Sequence, residues 1–362
     1  MVKLKDKLRF KDDFPPVSTE EWEEKIQQDL KGADYNKKLI WRSLEGFAVR
    51  PYYRAEDLKK IKHLEILPAE YPWVRAKSDR NNAWLIRQDV DARSDFKEAN
   101  EKALYLLNRG VDSIGLIMDE ANKPDQEQFE ELLYNICIQA IELNFRAGHA
   151  SQHLMDLLLY KIEAESIDKG EIQGSVDYNP VGCLNKFGNF CNLDGQKFSE
   201  MKKLVEKAVS LPGFTVLEVD ASWIHNAGAS IVQELACALA MGNEYLANIT
   251  DQGLTVDDTA INMHFKMGVG PAYFLEIAKF RAARMLWTKV VEAYGPSNIN
   301  SSQMKVHAET SRWNQTIYDP YVNMLRDTTE AMSASLGGAD TITVTPYDEA
   351  FENPTDFAER IA

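Results

Sequence analysis

AWLIRQDVDARSDFKEANEKALYLLNRGVDSIGLIM, from Ala83 to Met118, is the stretch that decides the fold. Its first seven residues, AWLIRQD, are typical of a short strand. DFKEANEKALYLLNR (Asp95–Arg109) has apolar residues at helical spacing, with Ser94 as a capping residue before it and Gly110 as a stop after it. SIGLIM (Ser113–Met118) predicts a second strand. The stretch is therefore predicted to be a strand–helix–strand unit with parallel strands.

The same alternation continues along the chain and predicts eight strands. We place them at Ala83–Asp89, Ser113–Met118, Leu143–Ala147, Ile172–Tyr178, Thr215–Asp220, Asn262–Lys266, Met304–Ala308 and Asp340–Thr345. The helices between them are predicted at Asp95–Arg109, Asp125–Ile141, Ser151–Ala164, Ser199–Leu211, from near Ala229, at Tyr273–Tyr294 and at Tyr321–Leu336. The strands read as short apolar runs without strict alternation, which is typical of parallel strands buried on both faces.

Eight such pairs indicate an α/β fold of the (β/α)8 TIM-barrel type. About 265 residues separate Asn81 from Thr345, close to the roughly 250 residues of a typical barrel. The alternative is an open, doubly wound sheet. That fold would call for a glycine-rich phosphate-binding turn after the first strand, and residues 87–91 contain no glycine.

Residues 1–80 differ in sequence pattern from the barrel region 81–362 and are predicted to form an N-terminal arm. The segment TEEW (Thr19–Trp22) begins a helix that runs to about Leu30. Two interpretations remain open, an arm folded on its own barrel and an arm that contacts a partner chain. The aromatic candidates for a partner contact are Trp22, Trp41, Tyr52 and Tyr53.

Composition excludes several classes of function. The chain has 362 residues, with 56 acidic and 41 basic side chains, which argues against a nucleic-acid partner. It contains no apolar run long enough to span a membrane, and its charged start does not resemble a secretory signal. We therefore expect a cytoplasmic protein, or one in an organelle matrix if an import sequence has been removed. No CxxC or HExxH motif occurs, so no metal site is predicted.

In a TIM barrel the chemistry lies at the carboxyl ends of the strands. Here those ends are rich in charge: the acidic residues are Asp89, Asp119, Asp177, Asp220 and Glu309, and the basic residues are Arg87, Arg146, Lys266 and Arg312. One interpretation is a set of general acids and bases. The other is that these side chains cap the following helices and form ion pairs with one another.

Several long segments identify a family. They are TEEWEEKIQQDLKGADYNKKLIWRSLEGFAVRPYY (residues 19–53), WLIRQ (84–88), NAGAS (226–230), KFRAARMLW (279–287) and the final stretch from Asp319 to Ala362. Together they resemble methylmalonyl-CoA mutase, particularly its small, or beta, subunit. The resemblance implies a barrel whose axial channel admits CoA, followed by a flavodoxin-like domain that carries cobalamin. The family interconverts methylmalonyl-CoA and succinyl-CoA by adenosyl-radical chemistry.

The resemblance also implies where this chain departs from catalytic subunits. Asp89 follows Arg87-Gln88 where the family has a tyrosine, and Ser222-Trp223 fall on the family's Tyr-His pair. Asp177 and Glu309 stand at two glutamine positions. An indole cannot act as an acid or base, and added carboxylates repel an acyl group that is itself a carboxylate. We therefore predict a vestigial site with no catalytic residues.

The predicted role is structural, as the partner of a mutase large subunit in a heterodimer. The segment HNAG (residues 225–228) is a decoy for the cobalamin motif DxHxxG, since Trp223 stands where the aspartate is needed. This chain is expected to bind no cofactor, and adenosylcobalamin is expected in the catalytic subunit. The chain ends at Ala362, so the flavodoxin-like domain is expected to be absent. Two alternatives are an active acyl-CoA isomerase and a regulatory barrel that binds a vestigial acyl-CoA.

Overall fold

The structure, a computed structural model, describes residues 14–76, 83–119, 123–188 and 197–362. The chain forms two compact units that divide between residues 64 and 65. The boundary predicted between residues 80 and 81 lies outside the described residues. Within the described ranges, no helix combines the length and the apolar character needed to cross a membrane.

The N-terminal unit consists of short elements: helices α1 (Thr19–Leu30), α2 (Tyr35–Lys38) and α3 (Ala55–Leu58), and a hairpin of β1 (Trp41–Arg42) and β2 (Ala48–Val49). The predicted helix to Leu30 is confirmed. It begins with a capping box, in which Ser18 Oγ accepts from the Glu21 amide and the Glu21 carboxylate accepts from the Ser18 amide. Among residues 14–64, Ser43 is the one buried residue, so this unit has almost no core of its own.

The second unit contains a closed barrel of eight parallel strands, which confirms the predicted fold class. The strands are β3 (Leu85–Asp91), β4 (Ser113–Ile117), β5 (Glu142–Arg146), β6 (Gln173–Tyr178), β7 (Gly213–Asp220), β8 (Met263–Val269), β9 (Lys305–Thr310) and β10 (Thr341–Thr343). They close in chain order, with β10 paired to both β9 and β3. All adjacent strand ends on one side therefore meet at one mouth.

The helices of this unit surround the barrel. They are α4 (Phe96–Leu107), α5 (Gln126–Leu132), α6 (Ser151–Ala164), α7 (Pro180–Phe187), α8 (Lys197–Ala208), α9 (Ser222–Asn226), α10 (Ile231–Asp251), α11 (Val256–Ile261), α12 (Tyr273–Glu292), α13 (Tyr321–Gly337) and α14 (Asp356–Ile361). The predicted helix at Asp125–Ile141 is wrong in its second half, because the helix ends at Leu132 and Asn135 takes a left-handed φ of 59°. Helices α7, α9, α11 and α14 were not predicted.

The strand interpretation is corrected in one respect, because the barrel strands do alternate. In β5 the apolar Leu143 and Phe145 belong to the buried hydrophobic core, and the intervening Asn144 hydrogen-bonds to Ser113 and Ser175 on neighbouring strands. Successive side chains on a strand point to opposite faces. The hydrophobic core therefore lies between the strands and the helices, and polar side chains project to the barrel axis.

Candidate functional site

A buried ion-pair network centred on Arg87 connects β3, β5 and β6 inside the barrel. Its Nε lies 2.9 Å from Asp89 Oδ1, and its Nη2 lies 3.6 Å from Asp177 Oδ2. Arg146 Nη1 reaches Asp89 Oδ2 at 2.6 Å. Burial alone would raise the pKa of Asp89, but Arg87 and Arg146 hold it far below its usual range. Asp89 is therefore an ionised carboxylate with both oxygens paired.

A glycine on the neighbouring strand makes room for this network. Gly115 pairs with Asp89 across β3 and β4. A Cβ atom at Gly115 would lie 1.9 Å from Asp89 Oδ1 and 2.7 Å from Arg87 Nη2. Any larger residue at position 115 would displace the ion pair, so the glycine and the charged pair form one packing unit.

A second ion-pair network lies on β8 and β9. Lys266 pairs with Glu309, and Arg312 Nη2 lies 3.1 Å from Glu309 Oε1. Arg312 Nη1 also reaches Glu349 Oε1 at 2.7 Å. Burial works to raise the pKa of Glu309, but Lys266 and Arg312 lower it to about 2. Glu309, like Asp89, is held ionised by cations and is no candidate proton donor near neutral pH.

Deeper in the barrel, a polar layer crosses the axis. Glu142 accepts hydrogen bonds from Ser113 at 2.7 Å and Thr341 at 3.1 Å, and pairs with Lys305 at 2.9 Å. At the amino end of the strands a cavity of about 520 Å³ has Glu142, Lys305 and Thr341 in its wall. Above these residues lies a cavity of about 10 Å³, also lined by Arg87 and His264. The axis at this level has room for about one water molecule.

Three further groups meet between β6, β7 and β8. Asp177, Glu218 and His264 each offer one ligand atom, and these atoms lie within 4.8 Å of one another. Burial and the nearby carboxylates Asp177 and Asp220 raise the pKa of Glu218 well above its usual range. For Asp177, burial opposes ionisation, but His264 and Arg87 lower the pKa below its usual range.

Ser222 and Trp223 lie on the short helix α9, directly after β7. The Ser222 amide and hydroxyl both donate to Asp220 Oδ1, at 2.9 and 2.6 Å. The Trp223 indole Nε1 is buried and has no hydrogen-bond partner among the described residues. Ser222 is thus tied to the carboxyl end of its own strand, and α9 begins where the family's Tyr-His pair was aligned.

The predicted site residues divide into separate groups. Asp89 and Asp177 meet through Arg87, and Glu309 belongs to the Lys266–Arg312 network. The sequence analysis missed Glu218 and His264. Their signal was present as polar residues at every second position, in E-V-D (218–220) and in H-F-K (264–266). Because these strands were interpreted as apolar runs, the alternation went unnoticed.

Comparison with known proteins decides the family. The sequence profile of the family described as methylmalonyl-CoA mutase matches residues 42–126 and 123–362, which is most of the chain. This chain belongs to the methylmalonyl-CoA mutase family. The resemblance inferred from the quoted segments is confirmed.

Named relatives of the mutase family include both subunit types. The chain is 43% identical to the methylmalonyl-CoA mutase small subunit of Porphyromonas gingivalis over 100% of its own length and 58% of that protein. It is 32% identical to the small subunit of Streptomyces virginiae, covering 99% of this chain and 58% of the relative. The large subunit from S. virginiae is 26% identical, covering 96% of this chain and 50% of the relative. The chain thus spans 58% of the length of these small-subunit relatives.

One described histidine bears on cofactor binding by this chain. The histidine of the decoy motif, His225, is buried, accepts a hydrogen bond from Trp313 Nε1 at 3.2 Å and packs against Gly268. Its Nε2 is therefore already engaged and enclosed, which argues against cobalt ligation by His225. An acyl-CoA chain along the axis would have to displace the Glu142–Lys305 layer and the Arg87 network.

Proposed function

We propose that this chain is the barrel of a methylmalonyl-CoA mutase small subunit, that it carries out no chemistry itself, and that it supports a large subunit. The observation that carries the proposal is the filled axis. The resemblance implies a channel for CoA, and here Glu142 with its partners and Arg87 with Asp89 and Asp177 occupy that path. A substrate chain would need to break several buried ion pairs to enter.

The electrostatics of the mouth support the same proposal. Asp89 and Glu309 are ionised, and each is already paired with two cations of this chain. Arg146 and Lys266 are thereby occupied, although a carboxylate-bearing acyl group would need free cations to bind. Trp223 supplies an indole N–H, which is a donor without acid or base function at neutral pH.

The N-terminal unit is the proposed contact with the large subunit. Trp22, Trp41 and Tyr53 are about half exposed or more, at 48, 52 and 58%. The rings of Trp22 and Tyr52 pack at a tilt of 59° with their centroids 5.8 Å apart, and the Tyr52 hydroxyl donates to Glu23 at 3.0 Å. Exposed aromatic side chains held in place by neighbours are the usual anchors of an interface, because they bury much area at little entropic cost.

The chemical part of the proposal is tested by reconstitution with the large subunit and adenosylcobalamin. Small-subunit variants Trp223→Phe and Ser222→Ala should leave kcat within about twofold of the wild-type complex, because the proposal assigns them no contact with substrate. Turnover of methylmalonyl-CoA is measured on complexes purified to equal subunit ratio. A loss of tenfold or more in an intact complex would contradict the non-catalytic role. Stoichiometric binding of CoA to the isolated small-subunit chain, seen by calorimetry, would favour the regulatory alternative.

The partner contact is tested separately by co-purification. Trp22→Ala and Trp41→Ala should each weaken association with the large subunit about tenfold or more, as expected for aromatic anchors. Trp84→Ala is the matched control, since Trp84 is 37% exposed but belongs to the barrel unit. Equal affinity for all three variants, measured by surface plasmon resonance, would show that the arm does not contribute to the interface.

A further inference from the structure

The cluster between β6, β7 and β8 has the composition of a metal site. Asp177, Glu218 and His264 come from three consecutive strands of the barrel, and all three side chains are buried. Their nearest ligand atoms lie within 4.8 Å of one another. Zinc binds nitrogen and carboxylate oxygen at about 2.0–2.2 Å, so small side-chain movements would bring all three atoms onto one ion.

One atom of the cluster lacks a hydrogen-bond partner although it is buried. His264 Nε2 has no hydrogen-bond partner among the described residues, whereas Asp177 Oδ2 faces the Arg87 guanidinium at 3.6 Å. Asp177 Oδ1 lies 3.3 Å from His264 Nε2 without forming an aligned hydrogen bond. Buried polar atoms are nearly always satisfied, and an unpartnered imidazole nitrogen beside two carboxylates points to a ligand between them.

The other ring nitrogen of His264 is held by the next strand. His264 Nδ1 lies 3.0 Å from Thr215 Oγ1, and the Thr215 hydroxyl donates to the Gly174 carbonyl oxygen at 3.4 Å. With its proton used in that way, Thr215 Oγ1 accepts from Nδ1–H, and the lone pair of the imidazole lies on Nε2. This is the arrangement in which a second residue fixes the tautomer of a metal-binding histidine.

The surrounding charges leave space for one more cation. Arg87 and Arg146 both form ion pairs with Asp89, and Lys266 forms an ion pair with Glu309. Glu218 forms no ion pair with any described residue of the barrel. A divalent ion would supply the positive partner that Glu218 lacks among the described residues.

We propose that Asp177, Glu218 and His264 bind a divalent first-row transition ion of the zinc type. One imidazole nitrogen and two carboxylate oxygens suit Zn²⁺ and its neighbours better than Mg²⁺ or Ca²⁺, which prefer all-oxygen sites. The ion would join β6, β7 and β8 at the barrel mouth. The site is independent of the proposed role beside a large subunit.

The test uses the untagged full chain, stripped with EDTA and titrated with Zn²⁺ by calorimetry. We expect one Zn²⁺ per chain, a rise in Tm on binding, and an affinity at least tenfold weaker in His264→Gln and in Glu218→Gln. His307→Gln is the matched control, because His307 is a buried histidine on the adjacent strand outside the cluster. Its affinity should stay within about twofold of wild type.

A second readout covers the case in which a cluster variant does not fold. Co²⁺ added to the wild-type chain should give the visible d–d bands of a nitrogen- and oxygen-bound ion, without the intense near-ultraviolet bands of thiolate ligation. Thiolate bands would assign the ion to a cysteine such as Cys137 or Cys237, which are exposed. The proposal is overturned by thiolate bands, by the absence of stoichiometric binding, or by equal Zn²⁺ affinity in His264→Gln and wild type.

Discussion

Replacing Arg87 with methionine tests whether the charges at the barrel axis are a mutually dependent network. Arg87 is 3% exposed and faces Asp89 Oδ1 at 2.9 Å and Asp177 Oδ2 at 3.6 Å. Removing one partner of a buried ion pair costs about 3–5 kcal/mol, because the remaining charge is left buried. Asp89 keeps Arg146 at 2.6 Å and Asp177 keeps a hydrogen bond from Ser175 at 2.5 Å. We therefore expect a loss near the lower limit, about 3 kcal/mol.

The chain contains a matched control for this substitution. Arg93 and Asp91 also lie two residues apart at the end of β3, with Arg93 Nη2 2.5 Å from Asp91 Oδ2, but their side chains are 57 and 51% exposed. An exposed pair contributes about 0–1 kcal/mol, so Arg93→Met should change stability little. Urea unfolding followed by circular dichroism measures both variants at pH 7. If Arg87→Met costs no more than Arg93→Met, the reasoning about the buried network is wrong.

Three other predictions concern the barrel wall and its helices. Burial raises the pKa of Asp327 to about 7 from the 3.8 of an unperturbed aspartate, so the folded chain holds a proton there that the unfolded chain lacks. Stability should therefore fall as pH rises from about 4 to 7, by about 1.4 kcal/mol per pH unit from this group. Burial also raises the pKa of Glu330 to about 7, so Asp327→Asn should remove only the Asp327 part of the slope in urea titrations across this window. Gly115→Ala should cost about 1–3 kcal/mol by overpacking against Arg87 and Asp89, measured by thermal unfolding. Gly170→Ala is the control and should cost far less, because its Cβ would meet only the exposed Asp168 at 3.3 Å. Equal Tm values for the two variants would contradict the close approach at Gly115. Ser230 caps α10 in a capping box with Gln233, so Ser230→Ala should lose about 1 kcal/mol, whereas an unchanged urea midpoint would mean that the cap contributes nothing.

The strand–helix alternation was predictable because each barrel strand is bounded by helix caps and turns that are local in sequence. Ser94 and Gly110 bracket the predicted helix between the first two strands, and the structure places α4 at Phe96–Leu107. The predicted cap is wrong by one residue, because the Asp95 side chain, and not Ser94, accepts from the Lys97 and Glu98 amides. The early end of α5 was not predictable from its apolar spacing. Leu133 and Ile136 continue the helical pattern beyond Leu132 and are buried, but from loop positions.

The positions of the charged residues along the strands were predictable to within two residues, but their partners were not. Asp89, Asp177 and Glu309 lie one or two residues before the ends of β3, β6 and β9. Which cation neutralises which carboxylate depends on strand register, and β6 and β7 shift register between Ser175 and Tyr178. That irregularity aligns neighbouring side chains in a way that residue spacing does not reveal. Alternating polar residues mark Glu218 and His264 as facing the axis, but only the pairing of the strands shows that they meet Asp177.

The axis-facing polar side chains have a consequence for the nascent chain. Strands β5, β8 and β9 carry charged or strongly polar groups at alternate positions, as in ELNFR, HFK and KVHAE. Strands from other chains add poorly to segments of this kind. Charged side chains on one face oppose the water-free packing of identical strands against each other. The same groups that occupy the barrel axis in the native state would thus act as gatekeepers against aggregation while the barrel is still open.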